Sequence, residues 1–125
     1  MKKILALLAA AVVAVSAYAG EFADISIAEV KTLAESKKAV IIDVNGGDSY
    51  KMGHVPGALS YAAIKDKLAD SLPKDKGALI IAYCGSPKCG AYLAAAKAAE
   101  KLGYTNIKHM SAGISGWRSA GMKTE

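Results

Sequence analysis

Apolar positions along this chain change their spacing several times, and each change marks a different element. Ser26 followed three residues later by Glu29 forms a capping-box pattern, and Ile27, Val30 and Leu33 then recur at helical spacing up to Ser36. Ala39-Val40-Ile41-Ile42 is a continuous apolar run ending in Asp43, and Ala78-Leu79-Ile80-Ile81-Ala82-Tyr83 is a second, ending in Cys84. Such runs predict strands buried on both faces, as in a parallel sheet. Between them lie a Gly/Pro-punctuated loop, Gly53 to Gly57, and a helix around Tyr61 to Asp70 that stops near Pro73. After Cys84 the Ala-rich stretch Ala91 to Leu102 predicts a helix closed by Gly103. Tyr104 to Met110 is a weaker strand, with only Tyr104, Ile107 and Met110 apolar, and Ile114 to Ala120 is a short last helix carrying Trp117. Alternating strands and helices imply a mostly parallel α/β sheet with right-handed crossovers.

The first 19 residues stand apart from that pattern. Lys2 and Lys3 precede an apolar run from Ile4 to Val15, and Ala17-Tyr18-Ala19 makes a small-x-small site before Gly20. This is the pattern of a secretory signal peptide over residues 1–19, leaving one domain over residues 20–125 and a periplasmic or secreted location. The run is short for a membrane span, which wants about 20 residues, so no stable membrane insertion is expected after cleavage. An uncleaved N-terminal anchor is the competing reading.

Composition adds exclusions. The hydrophobic fraction of 53% is inflated by the leader. The formal charge of +5 falls to +3 when Lys2 and Lys3 are subtracted, and the excess is spread along the chain, so nucleic-acid binding is not indicated. His54 and His109 lie in separate segments without ligand spacing, and two cysteines alone do not make a metal site. No metal and no cofactor are expected.

Cys84 and Cys89 are the only cysteines, and an exported protein allows them to pair. A bridge so short in sequence would remove less unfolded-state entropy than a long-range one. A reactive pair is therefore the reading with more chemical content. Cys84-Gly85-Ser86-Pro87-Lys88-Cys89-Gly90 joins the end of a buried strand to the start of a helix, and ligands of open α/β sheets bind outside such strand ends. A helix N-terminus and Lys88 favour a thiolate there, which makes Cys84 a candidate nucleophile, and the loop amides could surround an anion. Alternatively, Cys84 is a buried apolar residue and Cys89 half of a disulfide or an inert residue.

Three motifs in order resemble the rhodanese-like sulfurtransferases. The first is Ile41-Ile42-Asp43-Val44 followed by Tyr50-x-x-Gly53-His54-Val55-Pro56-Gly57-Ala58, the second is Tyr83-Cys84 opening a six-residue loop, and the third runs from Gly103-Tyr104 through Ala112-Gly113-Ile114-x-x-Trp117-x-x-Ala120-Gly121. The resemblance implies a three-layer fold with a central, mostly parallel sheet of about five strands flanked by helices. It also implies that Cys84 accepts sulfane sulfur as a persulfide, from thiosulfate, polysulfide or a persulfidated thiol, and passes it to a thiophilic acceptor. Gly85, Ser86, Pro87, Lys88, Cys89 and Gly90 would form the substrate-binding loop, with Asp43 and His54 supporting it. Partners would be a small sulfur-containing anion or persulfidated thiol, or one dedicated acceptor protein.

Many members of that family carry an arginine two residues after the strand aspartate and another closing the loop, where this chain has Asn45 and Cys89. Guanidinium is the group best shaped to grip a divalent oxyanion. Thiosulfate is accordingly expected to be a poorer donor than polysulfide or a persulfidated thiol. Cys89 could also resolve an oxidised or persulfidated Cys84 as a disulfide. Two other readings stay open: an arsenate reductase using the cysteine pair, and a non-catalytic or redox-switching binding module. Phosphate ester hydrolysis is disfavoured by the missing arginine.

Overall fold

In a computed structural model of the protein, residues 22–125 are described; the proposed leader lies outside them. Five short parallel strands form one sheet in the order β1-β5-β4-β2-β3: β1 Ala23–Asp24, β2 Val40–Asp43, β3 Leu59–Ser60, β4 Leu79–Tyr83 and β5 Asn106–His109. The helices are α1 Ile27–Ser36, α2 Gly47–Met52, α3 Tyr61–Ile64, α4 Leu68–Ser71, α5 Tyr92–Lys101 and α6 Gly113–Ser119. The expected α/β architecture with a five-stranded sheet between helical layers is what the chain adopts. Among the described residues no helix is long and apolar enough to cross a membrane.

The alternation of side chains along β4 decides what lies where. Ile80, Ala82 and Cys84 fall on one face with Tyr92, Ala95, Ala96 and Ala99 of α5. Ile81 and Tyr83 fall on the other with Val30 of α1 and Ile114 and Trp117 of α6. Both faces of β4 are dry, Ile80 and Ile81 being fully buried, which explains the unbroken apolar run. Each such isoleucine contributes roughly 1.5–3 kcal/mol by leaving water.

Local signals hold where a few residues decide the geometry. Ser26 Oγ accepts from the Glu29 amide at 3.1 Å, and Glu29 Oε1 accepts from the Ser26 amide at 3.4 Å, so the capping box forms. Gly103, at φ +102°, donates to Glu100 O at 3.0 Å and ends α5 as expected. The helix expected over Tyr61 to Asp70 is instead interrupted by a 3-10 turn at Lys65–Lys67, where Lys67 leaves helical geometry at φ −138°, ψ 36°. Ile64, Leu68 and Leu72 stay buried on both sides of that break, which is why the apolar spacing did not reveal it. Strands β1 and β3 have two residues each, too few for any periodicity, and they exist because β5 and β2 offer unpaired edges.

His109 ends β5 in register with Ala82, so it shares the face of the sheet that carries Cys84, and its ring stacks on Tyr92 with centroids 3.4 Å apart. Burial lowers its pKa from the ordinary histidine value, with Asp24 pulling weakly the other way. A folded-state pKa below the unfolded one means stability is intact above about pH 6.5 and is lost as pH falls through that range. The urea midpoint should therefore drop between pH 7.5 and 5.5, and His109→Phe, which keeps the stack, should flatten that drop; an unchanged slope would remove His109 as its source.

Candidate active site

Cys84 follows directly on β4 and is 1% exposed, at the C-terminal end of the central strand where the chain turns out of the sheet. The loop it opens is held from below by α6. The Ile114 amide donates to Cys84 O at 2.9 Å, and the Ser115 amide donates to Gly85 O at 2.9 Å. Because a trans peptide is planar with its N–H opposite its C=O, these two bonds turn the Gly85 and Ser86 amides away from α6 and toward the loop's outer side. The Cys89 amide behaves differently, donating to Ser86 O at 3.0 Å and closing a turn over Pro87 and Lys88. The Cys89 amide is thus spent within the loop and is not free for an anion.

Contact between α6 and the loop is only feasible at glycine. A Cβ on Gly113, at φ +67°, would lie 2.6 Å from the carbonyl carbon and oxygen of Gly85. Gly113→Ala should destabilise the fold by about 2 kcal/mol or more, since the new methyl meets backbone and the residue sits in left-handed space. Urea unfolding measures this, and a loss under about 0.5 kcal/mol would mean the loop yields freely.

Cys84 and Cys89 are joined as a disulfide, with Cα atoms 6.3 Å apart and a sequence separation of 5. The loop therefore brings the two sulfurs together, in the pairing that the sequence left as one of its open readings. In this form Cys84 is not a thiolate, and nucleophilic chemistry begins only once the bridge is opened. The first helical residue after the loop is Tyr92, and Leu93 N–H donates to Gly90 O at 3.1 Å, so that amide is spent within the first turn, while Cys84 packs in one cluster with Tyr92, Ala95 and Ala96 of α5. Lys88 is exposed at the loop tip beside exposed Pro87 and Gly90, while Gly85, Ser86 and Cys89 are half-buried.

Asp43 stands on the opposite face of the sheet. It is in register with Tyr83 and 1% exposed, and its Oδ2 accepts from Tyr83 Oη at 2.7 Å while Oδ1 accepts from the Asn45 amide at 2.8 Å. Tyr83 Oη in turn accepts from the Val55 amide at 3.0 Å. Burial and the hydrogen bond to Asp43 raise the Tyr83 pKa far above its ordinary value, so the phenol keeps its proton. This relay ties β2, β4 and the Gly53–Gly57 segment at the residue before Cys84. In the sequence Tyr83 ends an apolar run and opens the Tyr83-Cys84 motif, and its register with Asp43 gives it a role that neither pattern signals.

The contacts of His54 are with Tyr50 and Glu125. Its Nδ1 lies 2.8 Å from Tyr50 O, which can only accept, so Nδ1 carries the proton. Its ring stacks on Tyr50 at 3.6 Å, and Nε2 faces Glu125 Oε1 at 3.7 Å. Glu125 exchanges backbone hydrogen bonds with His54 and accepts from the Gly57 amide at 2.9 Å, contacts that no sequence pattern announced. Asn45 lies beside the loop, its Oδ1 3.6 Å from where a Cβ on Gly85 would be. Its Nδ2 is shielded from water and has no hydrogen-bond partner among the described residues.

Fold and site together define a parallel α/β domain that presents a cysteine loop at the carboxyl edge of its central strand. The chain belongs to the rhodanese-like domain family, whose model matches residues 26–120. It is 32% identical over 101 residues to thiosulfate sulfurtransferase GlpE of Pseudoalteromonas translucida, a match spanning 79% of this chain and 91% of that enzyme. It is 31% identical over 103 residues to the HTH-type transcriptional regulator Rv0324 of Mycobacterium tuberculosis, covering 81% of this chain but only 44% of the regulator. Among solved structures, the BH2092 protein of Bacillus halodurans superposes with a TM-score of 0.70 at 27% identity, covering 82% of this chain and 76% of that one. The family and the GlpE likeness support sulfurtransferase-type activity.

Proposed function

We propose that Cys84 carries sulfane sulfur as a persulfide between a small donor and a thiophilic acceptor, outside the cytoplasm if residues 1–19 direct export. The observation that carries this reading is a single buried cysteine at the end of the central strand, heading a loop whose first two carbonyls are fixed by α6. In the reduced protein the Cys84 thiolate attacks the outer sulfur of a donor. The donor S–S bond breaks, sulfite or a shorter polysulfide or thiol departs, and the persulfide remains on Cys84. Cyanide or a thiolate then attacks that outer sulfur and the Cys84 thiolate leaves. The Gly85 and Ser86 amides are the neutral donors that would face the charged outer sulfur, with the Asn45 side chain beside Gly85. Asp43 and His54 act at a distance, by holding the segments that hold the loop.

Donor preference follows from charge. Lys88, exposed at the tip, is the sole cation among residues 84–90, and the chain's one arginine, Arg118, donates to the Met52 and Gly53 carbonyls. Polysulfide or a persulfidated thiol is therefore the better donor, and thiosulfate the poorer. The disulfide favours a second reading, in which the domain is a redox-switched binding module without sulfur transfer. Intact mass spectrometry of reduced protein separates the two. A gain of about 32 Da after polysulfide, removed by cyanide and absent in Cys84→Ser, supports the carrier. Protein that never gains sulfur from polysulfide or thiosulfate overturns it in favour of the module.

A further inference from the structure

We propose that Cys89 discharges the sulfur held on Cys84, so that the site reduces sulfane sulfur to sulfide and ends each turnover as the Cys84–Cys89 disulfide. This rests on the carrier reading above and names its second reactant, a dithiol reductant that reopens the bridge.

Three observations converge. The loop places the two Cα atoms 6.3 Å apart, within the range that lets one sulfur reach the other without backbone movement. The approach is fixed rather than incidental: α6 holds the Cys84 and Gly85 carbonyls, and the Cys89 amide is tied back to Ser86 O. Cys84 is in the core beneath α5 and Cys89 packs half-buried against that same core, so little of the cysteine pair is open to a large acceptor. An acceptor supplied by the loop itself removes that limitation.

Geometry also selects the sulfur attacked. Cys89 Sγ meets Cys84 Sγ directly, whereas in the persulfide the cargo sulfur lies one S–S bond, about 2 Å, beyond it. The Cys89 thiolate therefore attacks Cys84 Sγ, forming the Sγ–Sγ bond and breaking the bond from Cys84 Sγ to the cargo. The cargo takes one proton and leaves as hydrosulfide, a less basic leaving group than a cysteine thiolate. Sulfane sulfur is reduced by two electrons, and the two cysteine sulfurs supply them by becoming a disulfide. One thiolate of the dithiol then attacks the bridge, and its second thiol displaces the protein from the mixed disulfide. The dithiol leaves oxidised and both protein cysteines are restored.

The test is a single turnover without external thiol. Reduced, desalted wild type and Cys89→Ser are incubated anaerobically with excess thiosulfate, whose own product is sulfite, so any sulfide comes from the protein-bound cargo. Wild type is expected to release about one sulfide per chain and finish about 2 Da below its reduced mass. Cys89→Ser is expected to stop about 32 Da above its reduced mass and release sulfide at least about tenfold more slowly. Wild type that stays persulfidated, or peptide mapping that finds the extra sulfur on Cys89, overturns the inference and leaves the carrier reading standing. If Cys89→Ser gains no sulfur from thiosulfate or from polysulfide, the carrier reading fails and the inference falls with it.

Discussion

Cys84→Ser should lower sulfur transfer by at least about a thousandfold in the reduced protein, the scale seen when an obligate nucleophile is removed. It should leave folding stability within about 1 kcal/mol. The substitution changes sulfur for oxygen at a site 1% exposed, so packing is nearly conserved while the covalent intermediate becomes inaccessible. Comparing both proteins fully reduced matters, because only wild type can close the bridge to Cys89 and gain its loop-closure contribution. Thiocyanate formed from polysulfide and cyanide reads the activity, and urea unfolding reads the stability. Activity above about a tenth of wild type would move the nucleophile to another residue. A stability loss near that of a core truncation would instead mark Cys84 as packing first and chemistry second.

Asp43→Ala should cost about 3 kcal/mol of stability and weaken sulfur loading at the same time. The carboxylate is the shared acceptor for Tyr83 Oη and the Asn45 amide, and removing it strands both donors where water does not readily reach. Tyr83→Phe removes the phenol from the same relay and leaves the Val55 amide unpaired, so a smaller loss of about 1–2 kcal/mol is expected. The double variant should lose less than the sum, since both changes break one network. Strict additivity in urea unfolding would show that Asp43 and Tyr83 act independently. Because Tyr83 directly precedes Cys84 and Asn45 lies against Gly85, loading by polysulfide should slow even in the fraction that remains folded.

Much of this domain is legible from local patterns. The two apolar runs became β2 and β4, the capping box formed at Ser26, and Gly103 closed α5. These features depend on near neighbours and on a core that buries all but the first residue of β2 and of β4. Helix α2 at Gly47–Met52 carries no such signal because it buries no residue and starts on Gly46 and Gly47, so neither apolar spacing nor propensity marks it. The strap by which Glu125 pairs with His54 and Gly57 is unmarked for a different reason, since it joins residues far apart in sequence.

Taken alone, the sequence determined that Cys84 ends a buried strand and that a glycine-containing loop follows it, because burial pattern and turn chemistry are local properties. Tertiary structure decided what that cysteine can touch. Register put Asp43 against Tyr83 on one face and left Cys84 on the other, and the close approach at Gly113 clamped the loop so that Cys89 returns to Cys84. Parity along a strand is written in the chain, but which strand lies beside it, and which helix end reaches its loop, depends on contacts across the whole sheet.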